Sequence, residues 1–220
     1  MIDNIDPAGH FCLIRSLLRP KSFNKETLKK TMQSLWRGKY GLRIREVGNN
    51  MFLFMFNNNE DRMKVLKLGP WHFNKHILLL EKMEKETNLS QIELYKPSFW
   101  FGDFGVPYLF LLDRVGRIIG EAIGDLEEVE FVKGKKGSNQ FIKLWIGIDV
   151  RSPLRRGMKF LIGSSKKTWL TFQYEKLPNF FYHCGRIGHT LRECEHLKEK
   201  DGWDKNADTQ YGSWMTAESF

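Results

Sequence analysis

Leu42-Arg43-Ile44-Arg45-Glu46-Val47-Gly48-Asn49-Asn50-Met51-Phe52-Leu53-Phe54-Met55-Phe56 is the stretch that decides how the first half of this chain folds. Leu42 to Val47 and Met51 to Phe56 suit two strands. Gly48-Asn49-Asn50 between them is tight-turn sequence, because Gly and Asn reach positive φ at little cost. In the second strand Phe52, Phe54 and Phe56 share one face by the period of two, and Met51, Leu53 and Met55 take the other. Apolar side chains on both faces predict a strand covered on both sides.

Working outward, His10 to Leu18 reads as an opening strand. Ser22 is placed to cap a helix from about Lys25 to Trp36, where Leu28, Met32 and Leu35 form an apolar stripe. Glu60 to Leu68 suits a short helix ended by Gly69-Pro70, and His76 to Lys82 suits another strand. The order strand-helix-strand-strand-helix-strand is the split βαβ pattern. Residues 8–90 are therefore expected to form an α+β domain of ferredoxin-like or RNA-recognition-motif-like type. The Met51–Phe56 strand lacks the Lys/Arg-Gly-aromatic lead-in of an RNA-recognition motif, so it reads as core rather than as a base-stacking platform.

A polar connector, Glu84 to Gln91, separates the halves. Residues 91–178 are expected as a mostly β, basic extension. Its elements are strands at Ser98–Gly102, Val129–Lys133, Phe141–Val150, Lys159–Ile162 and Thr168–Tyr174, with a helical segment at Pro107–Ile119. Residues 179–196 are a small knuckle remnant, and the polar tail, 197–220, is expected to be mobile.

The remnant is Phe181-Tyr182-His183-Cys184-Gly185-Arg186-Ile187-Gly188-His189-Thr190-Leu191-Arg192-Glu193-Cys194. It has the spacing C-x2-C-x4-H-x4-C, with Phe181 where the first cysteine belongs. A structural zinc ion takes four Cys or His ligands in a tetrahedron, and a knuckle this small has almost no core without it. Cys184, His189 and Cys194 are the candidate ligands. Gly185 and Gly188 allow the backbone to bend around sulfur. Phe181 cannot ligate, so zinc as a cofactor depends on a substitute: His183, Glu193, His196 or water.

Charge points to the partner. From Lys133 to Arg192 there are 13 Lys or Arg residues against Asp149 and Glu175 alone, within a chain of net charge +9. Such a segment favours a polyanion, because neutralising phosphates releases counterions. Knuckles hold single-stranded bases by stacking and by hydrogen bonds. Tyr182 and Ile187 are the candidate stacking residues, and Arg186 and Arg192 the candidate phosphate contacts; Phe180 and Phe181 read as packing against the preceding domain. Lys133, Lys135, Lys136, Arg151, Arg155, Arg156, Lys159, Lys166 and Lys167 are candidates for a continuing basic groove. The expected partner is single-stranded RNA or DNA.

Other classes find little support. Cys12, Cys184 and Cys194 do not make a disulfide framework and fit a reducing compartment. No signal-peptide pattern opens the chain and no apolar run is long enough to span a membrane, so an intracellular protein of nucleus or cytoplasm is expected. There is no G-x-S-x-G, phosphate-loop, H-E-x-x-H or G-x-G-x-x-G motif, and an enzyme is not expected.

Together these motifs resemble a plant retroelement-associated family that joins a domain of unknown function to a C-x2-C-x4-H-x4-C zinc knuckle. The resemblance covers nearly the whole chain. It rests on Leu35-Trp36, Asn50–Phe56, Gly69-Pro70-Trp71-His72-Phe73, Phe99-Trp100 with Gly105-Val106-Pro107, and Ile148-Asp149-Val150 with Pro153–Gly157. It continues through Tyr174–Pro178, the knuckle, and Tyr211-Gly212-Ser213-Trp214. It implies a Gag-like or first-reading-frame-like nucleic-acid-binding role, with Cys184, His189 and Cys194 as zinc ligands. A free-standing fragment of an element or a decayed copy is the accompanying expectation. The competing expectation is a self-assembly module whose surface includes Trp71 and Trp100.

Overall fold

The computed structural model describes residues 11–18, 23–36, 41–48, 50–74, 76–83, 94–102, 105–133, 140–162, 166–178, 180–189, 194 and 210–217. They form two compact units, Met1–Pro97 and Ser98–Phe220.

The first unit runs β1 (Phe11–Leu17), α1 (Lys25–Leu35), β2 (Leu42–Gly48), β3 (Met51–Phe56), α2 (Asn59–Lys67), β4 (Trp71–Phe73) and β5 (His76–Met83). The sheet order is β2-β3-β1-β5-β4, and every neighbouring pair is antiparallel. β1 and β2 thus run parallel, joined through α1 with β3 between them. That is the split βαβ arrangement of an α+β, ferredoxin-like fold. Strand β4 was not foreseen, being only three residues behind Gly69-Pro70. The helix cap also differs from expectation: Asn24, not Ser22, accepts the Thr27 N–H at 2.9 Å, and Ser22 lies outside the described residues. Asn50, at φ 59°, closes the β2–β3 turn, and its Nδ2 donates to the Leu17 carbonyl at 2.9 Å.

Phe52, Phe54 and Phe56 face the helices. They pack with Leu13 and Leu17 of β1, Leu28 and Met32 of α1, and Val65 of α2. Trp36 meets Phe54 at 4.9 Å between centroids and Trp71 at 5.5 Å. Cys12, Leu53 and Met55, on the opposite face, are also buried. The apolar strand is covered on both sides, as its sequence predicts, and offers no open aromatic platform. Among the described residues, one charged side chain lies within this interior. Arg15 is fully buried, its guanidinium 4.5 Å from the Phe52 ring centroid and 5.9 Å from that of Phe23. Its nitrogens have no hydrogen-bond partner among the described residues.

The second unit runs β6 (Ser98–Gly102), a 3-10 turn (Tyr108–Phe110), α3 (Asp113–Ile123), β7 (Asp125–Lys133), β8 (Gln140–Gly147), β9 (Gly157–Ile162), β10 (Lys166–Thr171), β11 (Gln173–Glu175) and β12 (Thr216–Ala217). A five-stranded sheet has the order β12-β11-β6-β8-β7, and β9–β10 form a separate hairpin. Gly116 and Gly120, one turn apart, let α3 lie close on the sheet. A Cβ at Gly116 would stand 2.9 Å from Val129, and one at Gly120 would stand 2.6 Å from Leu126.

Three expectations are corrected. The Pro107–Ile119 helix divides, and α3 starts only at Asp113 because Leu111 and Leu112 are non-helical. The Thr168–Tyr174 strand breaks at Phe172, so β10 pairs with β9 while β11 pairs with β6. Residues 210–217 are docked rather than mobile: β12 pairs in parallel with β11, and Met215 and Ala217 are buried. No helix among the described residues is long and apolar enough to cross a membrane.

Candidate nucleic-acid interface

The knuckle is built on a tight backbone loop. Phe181 N–H donates to the Arg186 carbonyl at 3.1 Å and Gly185 N–H donates to the Phe181 carbonyl at 2.8 Å. Phe180 and Ile187 bridge across it. Gly185 and Gly188 hold φ of 70° and 85°, which an L side chain adopts only with strain. Two anchors join this loop to the rest of the unit. Leu154 N–H donates to the Gly185 carbonyl at 2.8 Å. The Tyr211 ring fills the space over Gly185, where a Cβ would lie 2.3 Å from Tyr211 Cζ.

Inside the loop Cys184 Sγ lies 3.2 Å from His189 Nε2, and the ligand atoms of Cys184, His189 and Cys194 all lie within 4.8 Å of one another. Tetrahedral zinc sets such donors roughly 3.5–3.8 Å apart. The three side chains therefore fit a zinc ion with small adjustment. Burial raises the Cys184 thiol pKa, partly opposed by the backbone N–H of Arg186. Phe181, at the sequence position of the missing ligand, has its ring 5.9 Å from that of His189. Among the described residues three donors gather there, and when bound the ion would cross-link the loop to Cys194.

The predicted contact residues divide. Tyr182 is exposed, stacked obliquely on Phe180 at 5.0 Å. Ile187, expected to stack on a base, is instead buried within the knuckle; its bridge to Phe180 turns it inward. Arg186 is half-buried. Lys133, Arg155, Arg156, Lys159 and Lys167 are exposed. Arg156 also lies 5.8 Å from the Tyr211 ring, beside the knuckle. Arg151 is exposed but already clasped by Asp149, with Nη2–Oδ2 at 2.7 Å and Nε–Oδ1 at 2.9 Å. Lys166 belongs to β10. Lys135, Lys136 and Arg192 lie outside the described residues, as do the surrogate ligands Glu193 and His196.

The two acids of the basic stretch are both engaged. Asp149 holds Arg151, and Glu175 is buried 2.8 Å from Lys143 Nζ. Lys143 in turn lies 4.7 Å over Trp100. Sequence reading missed two features. Charge counting does not reveal which cations are consumed inside the fold, and the Tyr211 clasp is visible only as an unexplained Tyr-Gly-Ser-Trp motif.

Comparison with known proteins fits this geometry. Residues 148–196 match a family described as "Zinc knuckle". Residues 10–91 match one described as "Domain of unknown function (DUF4283)". The first match begins well before the cysteines and takes in the β9–β10 hairpin. An Arabidopsis thaliana protein named "Uncharacterized protein At4g02000" is 22% identical over 136 residues, which are 62% of this chain and 43% of that protein. The chain thus spans less than half the length of that relative. Among solved structures, the Sex-lethal RNA recognition domains 1 and 2 from Drosophila melanogaster are 13% identical with a TM-score of 0.29, covering 63% of this chain and 86% of that one. The N-terminal three RNA binding domains of the yeast splicing factor Prp24 are 14% identical with a TM-score of 0.27, covering 73% and 65%. At such scores neither structure bears on fold or function.

Proposed function

We propose that this chain is a non-catalytic protein that binds single-stranded RNA or DNA, mainly through phosphates. The observation that carries the reading is the gathered Cys184, His189 and Cys194 group within a stretch that matches a zinc knuckle, next to exposed Arg155, Arg156, Lys159 and Lys167. Finding this knuckle in one chain with a DUF4283 match supports descent from a Gag-like or first-reading-frame-like protein of a plant retroelement. The exposed ring of Tyr182 supports a stacking contact with a base. A mobility-shift titration against single-stranded RNA and DNA tests it. Four phosphate contacts predict a log–log salt slope of about −3. No binding at low salt would end the reading.

A second reading, self-association, has a specific observation of its own. Trp100 is buried and Trp71 is half-buried against the first unit's core, so neither is the open surface expected of it. Instead Tyr108, Leu109 and Leu112, at the entry to α3, are 71%, 84% and 56% exposed. Light scattering at high salt over a range of concentration tests it, and a monomer throughout would dismiss it.

A further inference from the structure

The β9–β10 hairpin carries a feature that neither the zinc loop nor the charge count accounts for. Its register pairs Trp169 with Lys159 and Lys167 with Leu161. By the period of two, those four residues and Gly157 share one face. On that face Lys159 and Lys167 are exposed, Leu161 is 53% exposed and Trp169 is 52% exposed. The other face is anchored. Leu170 is fully buried, and Phe160 meets Phe110 edge-on at 6.2 Å. The indole of Trp169 lies across the diagonal neighbour Gly157, where a Cβ would stand 2.6 Å from Trp169 Nε1. Glycine therefore lets the ring rest on backbone, and half of its surface stays open.

We infer that Trp169 is a stacking platform for an unpaired base, with Lys159 and Lys167 holding the adjoining phosphates. This rests on the nucleic-acid reading above and adds to it a second, knuckle-independent contact. Three properties of the hairpin select this occupant. The stretch Gly157–Thr171 contains Lys159, Lys166 and Lys167 but no aspartate or glutamate. Lysine is depleted at the centre of protein–protein contacts, whereas a basic track interleaved with exposed aromatics is how single strands are held without sequence preference. The ring is also backed by a pinned strand rather than a loop, so little ordering remains to be done on binding.

The test uses the full chain and a fluorescein-labelled single strand of about 16 nucleotides, as oligo(dT) and oligo(rU), followed by anisotropy across a salt series. Trp169→Leu should weaken binding by about 5- to 150-fold with the salt slope unchanged, since stacking is not electrostatic. Trp169→Phe keeps a π-face and should retain most of the affinity. Lys159→Ala with Lys167→Ala should instead flatten the slope by about 1.4. Because the Leu and Phe variants both retain apolar bulk, equal affinities for the two would overturn the stacking role. So would wild-type affinity in Trp169→Leu. Failure of the wild-type protein to bind either strand would overturn the nucleic-acid reading and the platform together. Binding by the wild type that Trp169→Leu does not change would remove the platform alone.

Discussion

Replacing Arg15 by Met should make the first unit more stable, although it deletes a fully buried side chain from the core. The guanidinium sits among Phe23, Phe52 and their neighbours with no hydrogen-bond acceptor among the described residues. Burial alone lowers its pKa to about 9, far below the ordinary guanidinium range. A lowering of at least 3 pH units, at about 1.36 kcal/mol each, means that keeping the charge costs roughly 4 kcal/mol. The desolvated contact with Phe52 returns about 2 kcal/mol, leaving a net cost on the order of 2 kcal/mol. Methionine keeps an unbranched apolar stem of similar reach and carries no charge. The assay is urea unfolding of the full chain, followed by tryptophan fluorescence, with Trp36 and Trp71 as this unit's reporters. With a slope of about 2 kcal/mol per M, the midpoint should rise by about 1 M. The pH sign follows from the lowered pKa. The unfolded chain holds this proton more tightly, so stability rises with pH only between the folded and unfolded values, from about 9 upward. Between roughly pH 6 and 8 the difference between variant and wild type should be flat. A midpoint lowered by more than about 0.5 M would refute the reasoning, because only a charge with real partners is missed on removal.

Other substitutions probe the second unit. Phe181→Cys restores the fourth ligand, and elemental analysis of the purified variant should find one zinc per chain, held more tightly against a chelator than in wild type. Equal retention in both proteins would mean that a surrogate ligand already completes the natural site. Lys143→Ala leaves Glu175 buried and unpaired, so thermal or urea unfolding should show a loss of about 3–5 kcal/mol. A loss below about 1 kcal/mol would mean that water reaches the carboxylate. Tyr211→Ala removes the ring packed over Gly185. Hydrogen exchange at the amides of Phe181 and Gly185 should quicken by about tenfold or more, with β8 unaffected. Asn24→Ala should cost about 1 kcal/mol through the lost α1 cap, read from the same urea curves.

What the sequence determined by itself is whatever depends on local spacing. The alternation in Met51–Phe56, the Gly48-Asn49-Asn50 turn and the stripe of Leu28 and Met32 establish element type, and their order is that of a ferredoxin-like sheet. The intervals among Cys184, His189 and Cys194 likewise name the three candidate ligands, and it is the fold that gathers them. Tertiary structure decided which face of each element is hidden, and that depends on partners far away in the chain. Alternation shows that Trp169 and Leu170 point oppositely, but packing such as that of Phe110 on Phe160 is what leaves Trp169 outside. Ile187 turned inward for the same kind of reason, through its bridge to Phe180. Charge counting treats Lys143 and Lys159 alike, and only the fold buries one against Glu175 while exposing the other. The docking of Tyr211 on Gly185 and of β12 on β11 joins residues more than two dozen positions apart. No periodicity or turn signal records such contacts, since their energy comes from surfaces that meet only after the chain has folded.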